Sequence, residues 1–309
     1  MEVKNIIVDI TEIGKRAKNL APPVIKDCNY RLLVNKLTWM LIFILMLPCL
    51  LGLWSYYDFS DERQMQEVNG DKIYYDIESG EPLHEQGSII FLELSNIFSI
   101  GFVGIVIAIM FSSELINEEY SQKTMNVLRT TPIRPIEILL YRYLSGVFCM
   151  FMILSLASIL FYIFLMMVAG LHGILEELDV LFLVIKIILF ESIVYIGIFS
   201  LITIYFERPF VVGILYWILW EGLVSGQNYQ MITVTHYLDS LLFEGIKEMN
   251  WIKEEGMFES ELEVAIEYGL VNGNDKIIAS EPIIAMLTLF FITSITLILG
   301  ARGIARKQF

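Results

Sequence analysis

Residues Leu37 to Tyr57 form a run without a single charged side chain, and that run excludes most ways of folding in water. About 20 apolar residues in a helix cross the ~30 Å hydrocarbon layer of a bilayer, whereas a helix on a soluble core keeps one polar face. The run ends in Trp54, Tyr56 and Tyr57, amphipathic rings suited to the membrane–water boundary. Further apolar blocks follow at 88–113, 143–171, 180–206, 210–224 and 282–301. Composition agrees: 56% of residues are hydrophobic, 18% are charged, and the mean hydropathy is +0.64. The pattern predicts an all-α polytopic membrane protein with six transmembrane helices over 37–301. Residues 1–36 are polar and mixed in charge, with no cleavable short-core leader, so the first block is expected to remain as a span. No repeat and no duplication of one half in the other is visible.

Six spans put both termini on one side, together with the connector 114–142 and the turn at 207–208. Fifteen of the 21 Lys and Arg residues fall on that side, and five fall in 58–86, 172–179 and 225–281. The bias places both termini, including the tail 302–309, in the cytoplasm of a plasma-membrane protein. Nine acidic residues in 58–86, three in 172–179 and eleven in 225–281 account for most of the net charge of −14. That charge is an external face and no sign of a nucleic-acid partner. Within 225–281, Tyr237, Leu241, Phe243, Ile246 and Met249 recur at helical spacing, as do Leu262, Ala265, Ile266 and Leu270. This segment is expected to fold as an external cap.

Chemistry-bearing motifs are few. Cys28, Cys49 and Cys149 read as small apolar fillers. His84, His172 and His236 lie in or beside external segments, far apart in sequence, so no span supplies the histidines a zinc site needs. No phosphate-binding loop occurs, so a nucleotide must sit on another subunit. No catalytic, cofactor-binding or metal residue is expected in this chain. Four charges fall within spans: Glu93, Lys186, Glu191 and Glu221. Three lie in the outer half, with Lys186 placed to pair with a carboxylate, and Glu191 is nearer the middle. Two readings stand: structural ion pairs and snorkelling ends, or the lining of a translocation path.

The connector is the most informative stretch. Ile116, Tyr120, Thr124, Val127 and Leu128 share one helical face, with Glu118, Ser121, Gln122 and Arg129 away from it. Pro132 stops the helix and Pro135 stiffens the turn into the third span. On pattern alone this is either an interfacial helix covering span ends or a lever docking in a partner. The stretch resembles the coupling region of ABC-2 type transporter permeases. In that family a Glu ends the second span, a second Glu and a Thr follow, and a leucine-rich turn leads to Thr-Pro and an Arg opening the third span. Glu114, Glu119, Thr124, Leu128, Thr131, Pro132 and Arg142 stand at those places. Lys123 and Tyr141 replace family glycines, and Arg134 comes one position early. Before the first span, Val24, Ile25, Cys28 and Leu32 fall on one side, with Lys26, Asp27 and Arg31 elsewhere. The family has an amphipathic elbow helix at this place; a basic juxtamembrane anchor is the other reading.

The resemblance implies the membrane-spanning subunit of an ATP-driven exporter, dimerising with a second copy or a paralogue among membrane lipids. It implies docking of ABC ATPase subunits through Glu114, Glu119, Tyr120, Thr124, Leu128, Pro132 and Arg134, with ATP and Mg²⁺ held by those subunits. The chain itself would be no enzyme, and its cargo an amphipathic lipid, peptide or drug. The rivals are a secondary transporter, which would interrupt matching helices in two halves, and a non-transporting sensor or scaffold.

Overall fold

The computed structural model describes residues 28–59, 63–68, 71–77, 82–121, 135–223, 230–247, 249, 270 and 277–307. A short helix, α1 (28–34), precedes the first span. Cys28 and Leu32 are buried, while Tyr30, Leu33 and Val34 are exposed, so the apolar side read from sequence does face the bundle. Val24 and Ile25 lie outside the described residues. Asn35 turns the chain, its side-chain oxygen accepting from the Leu37 N–H at 3.0 Å and capping α2 (Lys36–Leu45). The span continues as α3 (Leu47–Phe59) after a break at Met46. Pro48 explains the break, because its ring clashes with the carbonyl four residues back and offers no N–H.

The second span is one long helix with a widened middle: α4 (Leu83–Ser95), a π segment (Asn96–Phe102) and α5 (Val103–Ser121). The Val103 N–H reaches back five residues to the Phe98 carbonyl. The third, α6 (Pro135–Met166), starts at Pro135 rather than near Tyr143, so the helix carries an extension below the apolar block. It turns a corner at Gly170, whose φ of +76° is left-handed, into α7 (Gly170–Glu176). A Cβ at Gly170 would also meet the Tyr74 ring at 2.9 Å. Then come α8 (Leu178–Tyr205), α9 (Pro209–Tyr216) with a second π segment (Trp217–Leu223), α10 (Val234–Lys247) and α11 (Pro282–Lys307).

Two features differ from the all-α, six-span expectation. Residues Arg63–Val68 and Asp71–Asp76 pair as an antiparallel hairpin, β1 and β2, in register Val68 to Asp71. Arg63 pins it to the bundle by donating to the Val168 carbonyl at 3.1 Å, and lies 4.8 Å over the Tyr74 ring of β2. Among the described residues, five helices are long and apolar enough to cross a membrane: Lys36–Trp54, Leu83–Leu115, Leu139–Glu176, Leu178–Tyr205 and Pro282–Arg306. The sixth apolar helix, Pro209–Gly222, is shorter. At 1.5 Å per residue it covers only about 20 Å, less than the ~30 Å hydrocarbon layer.

The core is organised around α8, which packs on α5, α6, α9, α10 and α11 and is buried on every side over 194–200. Tyr143 on α6 donates to the Ile193 carbonyl at 2.9 Å, and Ser112 on α5 to that of Ile196 at 3.4 Å. Lacking a hydrophobic driving force between helices in lipid, such contacts rest on close packing and interhelical hydrogen bonds. Gly197 permits one approach: a Cβ there would sit 2.9 Å from Thr296 Oγ1. The segment expected as a cap does contain a helix, but α10 lies along the bundle. Its Thr235 meets Tyr195 of α8, and its Gly245 meets Leu183 three turns away, where a Cβ would fall 2.3 Å from Leu183 Cδ1. Leu238, Leu241, Leu242, Phe243 and Ile246 are buried. Of the second stripe only Leu270 is described; it is buried and its carbonyl accepts from Ile278 N–H at 2.8 Å.

Candidate functional site

Two polar clusters interrupt the apolar bundle around α8. The first lies where α1, α2, α5 and α6 meet. Asn35, having capped α2 with its oxygen, donates its side-chain N–H to Glu114 at the end of the second span. Arg142 is buried, opens the third span and donates to the Leu115 carbonyl at 3.2 Å. Ser145, one turn further on, donates to Asn29 of α1. Thr38 closes the corner by donating to the Leu32 carbonyl at 2.7 Å. The roots of the connector are thereby bound to the pre-span helix through neutral and charge-assisted hydrogen bonds, the latter the stronger kind.

Glu114 and Arg142 are therefore brought together with partners that the sequence reading did not single out: Asn29, Asn35 and Ser145. The signal available was the pair of asparagines flanking a short amphipathic stretch, Asn35 standing where a helix N-cap belongs. Glu119 and Tyr120 fall on the last turn of α5. Thr124, Leu128, Pro132 and Arg134 lie outside the described residues.

The second cluster is built on Glu221, in the π segment that follows α9. Its carboxylate is 5% exposed and accepts four hydrogen bonds. Tyr216 O–H donates at 2.8 Å, Val234 and Thr235 N–H at 3.3 and 3.1 Å, and the Thr235 hydroxyl at 2.8 Å. The two N–H groups are among the orphan donors that every helix N-terminus presents, and a negative charge there is favoured by the helix dipole. Glu221 is thus the remote cap of α10. Thr233 caps the same helix locally, its hydroxyl 3.4 Å from the His236 N–H. Tyr195 O–H lies 3.3 Å from Thr235 Oγ1. Because the Thr235 proton goes to Glu221, Tyr195 is the donor in that pair.

One turn before Tyr195 on α8 stands Glu191, 0% exposed, with neither carboxylate oxygen hydrogen-bonded. The other two intramembrane charges are different in kind. Glu93 and Lys186 are exposed on the outside of the bundle and form no ion pair among the described residues, so the pairing expected for Lys186 is not made.

Near the corner at Gly170, two of the three histidines converge. His172 Nε2 is 3.0 Å and His84 Nε2 is 3.7 Å from Glu176 Oε2. The adjacent Glu177, between α7 and α8, has its carboxyl pushed up to about 7, first by burial and then by the neighbouring Glu176 and Glu85 carboxylates. His236 is apart from these, 3.1 Å from Ser280 Oγ, with burial holding it below the usual imidazole range. Among the described residues no group of three His, Cys, Asp or Glu side chains has the arrangement of a metal site.

Against models of known families, residues 30–220 match the one described as ABC-2 family transporter protein. No curated protein and no solved structure matches the chain.

Proposed function

The chain belongs to the ABC-2 family of transporter proteins, and on that premise we propose that it is the permease subunit of an ATP-driven exporter. It is a multi-pass membrane protein, and in our reading six spans leave both termini in the cytoplasm. The short fifth span, Pro209–Leu223, is completed toward the outside by α10. Two copies, or one copy and a paralogue, bind ATPase subunits that hold ATP and Mg²⁺. The cargo is amphipathic and leaves by the outer half of the bundle.

The observation that carries the reading is the bracing of the connector at both roots. Glu114 is tied to Asn35, Arg142 to the Leu115 carbonyl and Ser145 to Asn29. A connector clamped this way passes a push from a docked ATPase into α5, α6 and the first span together. Closure of the ATPase subunits on ATP then tilts these helices against α8.

Replacing Tyr120 or Leu128 by Asp places an unpaired carboxylate at the docking contact, a change expected to cost several kcal/mol of association. The measurement is co-purification of the ATPase with each variant, together with cargo-stimulated ATP hydrolysis. Full association and full coupling in both variants would leave the connector as an interfacial helix and remove this reading.

A second reading has one observation in its favour. The two π segments fall on the second and fifth apolar helices, the middle members of two three-helix halves, where secondary carriers have irregular helices. Cargo movement driven by an ion gradient, in vesicles without an ATPase, would select it.

A further inference from the structure

The bare carboxylate of Glu191 has no task in the coupling scheme, yet it is an expensive group to keep. An ionisable side chain within a membrane bundle is costly unless paired or solvated, and such residues mark ligand or ion pathways. Glu191 is 0% exposed and without a hydrogen-bond donor for either oxygen. Its surroundings are acidic and aromatic. The Tyr195 hydroxyl is within electrostatic reach of both Glu191 and Glu221. Asp239, one turn beyond Thr235 on α10, is within reach of Glu221 in turn. Tyr195 stacks on Phe199 with centroids 5.8 Å apart, and Phe199 meets the edge of Tyr216, also at 5.8 Å. Among the described residues no Lys or Arg forms an ion pair with any of these three carboxylates.

The chemistry that suits this carboxylate is a cation with N–H groups and apolar bulk. Tyr195 has already given its proton to Thr235, so its oxygen keeps lone pairs with which to accept. An ammonium seated beside Glu191 gains one charge-assisted bond to that carboxylate and a second bond to the phenol oxygen. Glu221 is spent on four donors and serves as a wall of the site. We propose that Glu191, Tyr195 and the Glu221 wall form a binding site for the organic ammonium group of a lipophilic cargo, between α8 and the foot of α10. This deepens the exporter reading and rests on it for the word cargo.

The test uses the full chain in nanodiscs, without ATPase or nucleotide, and rhodamine 6G, a lipophilic cation bearing N–H donors. Fluorescence anisotropy is read against empty nanodiscs. Saturable binding is expected, with Glu191→Gln weakening it by about tenfold or more and Glu191→Asp restoring part of the loss. Glu93→Gln, on the lipid side, is expected to bind as the parent does. Dodecylammonium is expected to compete and dodecanol not. Absence of saturable binding, undiminished affinity in a correctly folded Glu191→Gln chain, or displacement by potassium or sodium as effective as by dodecylammonium would each overturn the proposal. The last would assign the site to an inorganic cation. Co-purification of the ATPase is scored separately. An associated ATPase with no dye binding removes only this site, whereas dye binding without an ATPase removes the exporter reading and keeps the site.

Discussion

Glu221 and Glu191 are the same side chain on two helices that pack together, both buried, and they are provided for in opposite ways. Glu221 receives four donors from Tyr216, Val234 and Thr235, and in return it terminates the unsatisfied start of α10. Glu191 receives none. The difference separates a carboxylate that holds the fold from one that the fold merely tolerates. A buried acceptor with its donors in place contributes stability and punishes removal. One without donors has no bond to lose and is free to serve a ligand.

The largest expected effect lies at the first of these sites. Glu221→Leu leaves two backbone N–H groups and two hydroxyls without their acceptor, a loss of about 2–5 kcal/mol. Amide exchange in Val234–Lys247 is the measurement, and unchanged protection there would break the comparison. Next comes Gly245→Val, which forces a Cβ into Leu183 and is expected to cost about 1–3 kcal/mol of thermal stability in detergent. Thr235→Val removes one donor to Glu221 and leaves Tyr195 without its acceptor, for about 0.5–1.5 kcal/mol by the same assay. Glu191→Gln loses no hydrogen bond and is expected to shift stability by less than about 1 kcal/mol. A large loss would show that Glu191 is structural after all.

A further effect is set by pH. The Glu177 carboxyl stands near 7 in the folded chain against an ordinary 4.5, so its ionisation opposes folding. The cost is absent below about 4.5, grows as pH rises to about 7 and is constant above that. Glu177→Gln is expected to match the parent at pH 4.5 and to exceed it in melting temperature at pH 8. Equal differences at both pH values would sink the assignment.

The long apolar helices were legible in the sequence because the bilayer demands their length, and the Cys28–Leu32 side because helical spacing leaves little choice. The hairpin β1–β2 carried a usable signal, Asn69-Gly70 between two short polar strands, which acidic composition obscured. The shortness of the fifth helix was readable from its length, but the capping of α10 by that helix was not. Glu221 finds Thr235 fourteen positions along, and no local spacing encodes a cap supplied across a turn. The π segments left no trace for the same reason: shifting a hydrogen bond by one residue changes no apolar pattern.

Those two wide turns touch. Phe102 closes the first and Trp217 opens the second, their rings 5.2 Å apart and tilted by 56°. A π turn holds one residue more than the helix around it needs, a small reserve of chain kept wound inside an otherwise stiff rod. In the proposed coupling, a shove along α5 from its connector end would meet that reserve before it reached α4. There it would be taken up as rotation, with the local backbone hydrogen bonds exchanged for their neighbours. The second rod has its own reserve at the place where the rings meet. The bundle would therefore yield at one level, where the two wide turns share a joint.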